Sequence, residues 1–157
     1  MSLQTWIWLA TACYAIHMLE EFEFDWRNWA RAVIRLPVEW SDFYITNAIV
    51  VVLGIVAANI ATELPWVALT FPALMLINAT FFHVLPMVVT RGRYSPGVFT
   101  AVVLFYPVAL ACYWAAARTG TLTAAQVAGS ATIGALLMAS PIVLLHLKSR
   151  PYFRQDR

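Results

Sequence analysis

Five apolar runs, each close to the roughly 20 residues that a bilayer-crossing helix needs, decide what this chain can fold into. They extend from about Leu3 to Glu21, Trp40 to Ala61, Leu64 to Val89, Val98 to Ala117 and Leu122 to Leu147. Only 11% of the residues are charged, against roughly 25% in soluble domains. The mean hydropathy is +0.73. So little charge cannot dress a water-soluble surface, so the sequence predicts an all-α, polytopic membrane helix bundle. Nearly every residue is taken up by spans and short turns. This leaves a single transmembrane domain over 1–147 and a basic tail over 148–157. No basic face lies outside that tail, which excludes nucleic acid as a partner and leaves the lipid bilayer as the surroundings. Cys13 and Cys112 sit mid-run among apolar residues and read as small packing side chains.

The connecting segments agree with this division. Between the first two runs, Phe22, Trp26, Trp29 and Val33 recur at helical spacing, as do Glu23, Arg27, Arg31 and Arg35. These two periodicities predict an interfacial amphipathic helix within Phe22–Leu36. Turns are marked by Glu63-Leu64-Pro65, by Arg91 to Gly97 and by Arg118-Thr119-Gly120-Thr121, with Thr121 or Thr123 available to cap the last helix. Basic residues follow runs one, three and five (Arg27, Arg31 and Arg35; Arg91 and Arg93; Lys148, Arg150, Arg154 and Arg157), and the other side holds only Arg118. By the excess of Lys and Arg on cytoplasmic loops, the N-terminus is outside and the C-terminus cytoplasmic, in a plasma (inner) membrane.

The same layout gathers the polar side chains. His17, Glu20 and Glu21 end run one. Asp42, Thr46 and Asn47 open run two. Asn78, Thr80 and His83 close run three, and His146 closes run five. On a helix His17 shares a face with residues three and four further on, so it can meet Glu20 and Glu21. Intramembrane ionisable groups are costly and usually face a bundle interior. Ala10, Cys13 and Tyr14 lie on the His17 side, and Asn47, Gly54 and Ala58 make a small-residue stripe on run two. Asn78 is five residues before His83, so an ideal helix turns it away from that histidine, although Pro86 can distort the turn. Asp42 reads as an interfacial group or helix cap, and His146 as a snorkelling residue.

His17-Met18-Leu19-Glu20-Glu21 resembles the signature of the HXXEE-domain family of small membrane proteins. Asn78 to His83 and Tyr94-Ser95-Pro96-Gly97 are similar to the later part of that family's pattern. The resemblance runs from about Trp6 to the fifth run. It implies a shared polar site and carries no known reaction. The chemistry therefore has to come from the residue types. His17, His83 and one of Glu20 or Glu21 are suitable ligands for a divalent zinc or iron ion, with the other Glu as an outer partner or general base. That points to a membrane enzyme, hydrolytic or oxidative, acting on a hydrophobic small molecule or lipid. Asn47, Asn78 and Tyr94 are the supporting residues. Without metal, the same His and Glu pair could serve an acid–base isomerase or cyclase. A proton-coupled transporter, or a structural protein whose cluster only fixes helix packing, are the remaining readings. An oligomer is compatible with each of them.

Overall fold

The computed structural model describes residues 1–120 and 122–153. Thr121, one of the two expected caps, and Arg154 and Arg157 of the basic tail lie outside the described residues. Helix α1 covers Leu3–Glu23 and starts where the Ser2 side chain accepts a bond from the Thr5 amide. A left-handed residue, Asp25, then turns the chain into the short α2, Trp26–Val33. Helix α3 is Trp40–Ile60. Helices α4 (Pro65–Val89), α5 (Val98–Ala117) and α6 (Ala124–Lys148) follow. Among the described residues there is no strand. The amphipathic helix is shorter than Phe22–Leu36, because Phe22 and Glu23 continue α1. Its apolar side, Trp29 and Ala30, packs on Leu36, Val38 and Leu145. Its Arg27 and Arg31 side chains both pair with Glu39.

Helices α3, α4, α5 and α6 are long and apolar enough to cross a membrane. Helix α1 does not meet that measure, since Gln4, His17, Glu20 and Glu21 dilute it. It nevertheless lies against α3, α4 and α5, and buries Ile7, Ala10, Cys13, Tyr14 and His17. Outward faces elsewhere carry Ile45, Ile49, Phe81, Val88, Val102, Leu110 and Leu144, all exposed. A soluble globule rarely leaves so continuous an apolar surface to water.

Prolines shape α4 and α5. A proline has no N–H to give to the carbonyl four residues back, and its ring crowds that carbonyl. Pro72 coincides with a break at Leu69, where α4 interrupts between Ala68 and Thr70. Pro86 follows a wide π turn at Ala79–Val84. Pro107 follows a second at Ala101–Phe105. The carbonyl of Phe82, four residues before Pro86, instead accepts a bond from Ser95 Oγ at 3.3 Å. The two π turns face each other across the bundle. On α6, Gly134 lies flat on α4, where a Cβ would be 2.8 Å from Ala73 Cβ and 2.9 Å from Leu74 N. Tyr113 of α5 anchors the same helix through Ser130, 2.7 Å between hydroxyls.

Candidate metal centre

The end of the bundle that carries the basic residues also carries the polar site. His17 comes from the last turns of α1 and Glu21 lies one turn beyond it. His83 sits in the π turn of α4. The histidine Nε2 atoms stand 3.6 Å (His17) and 3.5 Å (His83) from the same oxygen, Glu21 Oε1. The two rings meet edge to face with centroids 4.7 Å apart. One ligand atom from each of the three residues falls within 4.8 Å of the others. All three are buried: His17 1%, Glu21 4% and His83 0% exposed.

The other side of each ring fixes where its proton sits. The Thr100 hydroxyl has one hydrogen, which it donates to Glu20 Oε2 at 2.5 Å. It can therefore only accept from His17 Nδ1, 2.7 Å away. The hydrogen is on Nδ1, and Nε2 presents a lone pair towards Glu21. His83 repeats the pattern more loosely. Ser95 Oγ lies 3.3 Å from the Phe82 carbonyl and 3.4 Å from His83 Nδ1. The His83 ring also bonds the Pro96 carbonyl, which takes a ring N–H; with Nε2 unpartnered among the described residues, that hydrogen is on Nδ1. Two imidazole lone pairs and a carboxylate oxygen thus converge in a buried space. Neither Nε2 atom has a hydrogen-bond partner among the described residues.

The loop before α5 closes this space. Ser95, Pro96 and Gly97 are buried. Gly97 has φ +93, and a Cβ there would lie 2.6 Å from His83 Cε1 and 2.7 Å from His17 Cε1. Any side chain at this position would be strained and would push both rings aside. Phe105 covers His17 from the second π turn, with centroids 4.3 Å apart.

Glu20 stands outside the cluster and does a different job. Gly97 has no side chain with which to cap α5. Glu20 reaches across from α1 and accepts from the Phe99 amide at 3.2 Å and the Thr100 amide at 2.8 Å. An acceptor there satisfies first-turn N–H groups and sits at the favourable end of the helix dipole. Tyr94, also expected at the site, donates to Glu20 Oε1 at 2.7 Å. Burial, and then the Glu20 bond, raise the Tyr94 pKa from the usual tyrosine value, so its hydroxyl stays a donor. Asn47 accepts from Tyr14 at 2.6 Å. Asn78 shares a small cavity with Glu21 and Asn47. The π turn begins right after Asn78; its amide nitrogen bonds Met138 Sδ at 3.9 Å, while His83 stands against Glu21. Asp42 accepts from the Glu39 amide and from Lys148 Nζ, as a helix cap at an interface would. His146 is exposed and bonds its own helix at the Ile142 carbonyl. Thr100 is the residue that the sequence reading missed.

Residues 8–115 match the family described as "Protein of unknown function with HXXEE motif". The chain belongs to the HXXEE family. The matched stretch holds all three converging residues, the Tyr94–Gly97 loop and Thr100. Neither the curated proteins nor the solved structures contain a match to this chain. In this HXXEE protein the motif divides its labour. Its His and final Glu converge with His83, while its first Glu caps α5 and orients the His through Thr100.

Proposed function

We propose that this HXXEE protein is a membrane enzyme with a divalent metal held by His17, Glu21 and His83. The observation that carries this reading is the convergence of three buried lone-pair atoms with no proton donor among them. Left alone, such atoms repel one another. At 3.5 and 3.6 Å they are too far apart for the hydrogen bonds that one shared proton would make. Ligand atoms at bond lengths of about 2.0–2.1 Å stand roughly 3.3 Å apart around a tetrahedral ion, close to this spacing. Two histidines and one carboxylate also leave coordination positions open, as catalytic zinc and non-haem iron sites do. A bound ion would act as Lewis acid or lower the pKa of a bound water. The protein's part is to hold both rings in one tautomer, exclude bulk water with the 94–97 loop and admit a hydrophobic or lipid-like substrate.

Placement in the membrane belongs to the same reading. Helix α1 has 21 residues, about 31 Å at 1.5 Å per residue, enough to cross the hydrocarbon. Its mid-helix Thr11 and its His17 and Glu21 are buried in the bundle, and the exposed Gln4 and Glu23 lie at its two ends, so five spans suit the bundle. The positive-inside excess then puts the site in the cytoplasmic half, with the N-terminus outside.

The test is metal analysis of the detergent-purified protein beside His17→Ala, Glu21→Ala and His83→Ala. Near-stoichiometric zinc or iron in the wild type, and its loss from all three folded variants, is the expected result. A folded wild type that stays metal-free after resupply sinks the proposal and leaves acid–base isomerisation or helix packing as the role of the cluster.

A further inference from the structure

The bundle is open along one side, between α3 and α6. Both helices lie on α4, yet they make almost no direct contact with each other. Between them runs an apolar groove of about 400 Å³. Its floor is Leu74 of α4 and Tyr14 of α1, and its walls include Ile49 and Leu53 of α3 and Leu137 and Leu144 of α6. Ile49 and Leu144 are more than half exposed, so the groove opens sideways, where acyl chains would lie. From Asp42 to Leu53 it follows α3 for about 16 Å at 1.5 Å per residue. The Asp42–Lys148 ion pair, 2.6 Å, closes the end nearest the basic residues.

That end leads inward. Tyr14, Thr46, Met138, Pro141 and Leu145 line both the groove and a second, smaller cavity of about 60 Å³, whose wall includes Glu21. Two residues of the small cavity have unmet hydrogen-bonding capacity. Asn78 is 8% exposed; among the described residues its amide nitrogen reaches only Met138 Sδ, at 3.9 Å, and its Oδ1 is buried without a partner. Trp26 Nε1 is likewise buried without a partner among the described residues. Buried polar atoms without partners are uncommon and costly. Here one is an acceptor and one a donor, and a hydroxyl group can satisfy either. The cavity admits a hydroxyl-bearing carbon and is too small for a phosphodiester head.

We infer that the α3–α6 groove binds a single-chain lipid alcohol, its tail along Ile49, Leu53 and Leu137 and its hydroxyl at Asn78 beside Glu21. This names the substrate class of the proposed metal centre and rests on that reading for its chemistry, though not for binding. The orphaned Asn78 acceptor sets the head, and the sideways opening sets the route of entry from the bilayer. Met138 lines both groove and cavity, holds the Asn78 amide through a long sulfur contact, and is the side chain that has to move. A flexible thioether suits that position.

Photolabelling with a diazirine-bearing hexadecanol, mapped by mass spectrometry on the full-length purified protein, tests this. Saturable labelling near one probe per protein, on α3 and α6 groove residues, is expected. Unlabelled hexadecanol should compete, and hexadecyl methyl ether, which cannot donate, should compete about tenfold less well. Ile49→Trp, a change at an exposed position, should cut labelling at least tenfold. Asn78→Leu should erase the preference for the alcohol. Unsaturable labelling that spreads to Val102 and Leu110 on α5 would overturn the inference, leaving a lipid-covered surface over a cavity that takes ordered water. Equal competition by the ether would overturn the hydroxyl assignment. Repeating the labelling on His17→Ala, and metal analysis on Ile49→Trp, separates the two readings, because groove binding survives loss of the metal site and the metal survives a filled groove.

Discussion

Thr100 is the residue on which the geometry of the site turns. Its single hydroxyl hydrogen is committed to Glu20, so it holds His17 with the hydrogen on Nδ1 and the lone pair on Nε2. Outer partners of metal-bound histidines typically contribute 10- to 100-fold in affinity. Thr100→Val keeps the shape and removes the hydroxyl. Its metal dissociation constant, measured against a competing chelator, should rise roughly 10- to 100-fold, and Thr100→Ser should restore it. The cap on α5 survives in Thr100→Val, because Glu20 still accepts from two backbone amides. Melting of the metal-free protein should fall modestly, because the buried His17 Nδ1–H loses its acceptor, so the orienting role is read from metal affinity, and unaltered affinity would refute it. His17, Glu21 and His83 were legible in the sequence because charge and imidazole stand out in apolar runs. Which glutamate faces inward was not. Glu20 and Glu21 are one residue apart on the same helix end, and what separates them is the Thr100 amide, 80 residues further along. A threonine near a helix start is common enough that nothing in the sequence marks this one.

At the scale of elements, the apolar runs gave the helices almost to the residue, and the prolines hid the rest. A straight α4 would turn Asn78 away from His83. The π turn at Ala79–Val84 holds His83 against Glu21, at the cost of carbonyls that need other donors, and Ser95 supplies one to Phe82. Pro86 in the sequence signals a disturbance without saying whether it will be a kink, a break or a wide turn; Pro72 and Pro107 produce two different results in this chain. The join between α2 and α3 is more transparent. Arg27 and Arg31 both pair with Glu39, and the Arg27 bond, first, holds the Glu39 carboxylate below its usual range. A depressed carboxylate pKa stabilises the folded arrangement above the unfolded value, about 4.3, and that contribution is lost as pH falls through the folded value. Protection factors of the Trp26–Val33 amides, which correct for the slower intrinsic exchange in acid, should therefore fall on acidification below the ordinary carboxylate range. Glu39→Gln should show the lower protection already at neutral pH, with little further fall in acid. Equal protection in both proteins would mean that packing of Trp29 on Leu36 and Val38 alone holds α2.

At the scale of the whole molecule, contacts fix which helix ends lie together, and charge supplies the expectation for which side of a membrane they would occupy. Glu21 with His83, Glu20 with Tyr94 and Asp42 with Lys148 tie the end of α1, the start of α3, the end of α4, the start of α5 and the end of α6 into one layer. Arg27, Arg31, Arg91 and Arg93 belong to that layer, and Arg118 stands alone at the opposite end. If five helices cross, the positive-inside excess makes the layer cytoplasmic, and a groove opening there would draw substrate from the inner leaflet. Cysteine labelling reads this directly, since the native Cys13 and Cys112 are buried and should stay silent. An impermeant maleimide applied to intact cells should modify Arg118→Cys and leave Arg93→Cys untouched, while inverted vesicles should give the opposite pattern. A tag at the N-terminus should be accessible together with Arg118→Cys. If the tag is instead accessible together with Arg93→Cys, α1 does not cross, and its histidine and glutamates enter the bundle from the side. If Arg93→Cys reacts from outside, the bundle is inverted, and the metal centre and its groove serve the outer leaflet.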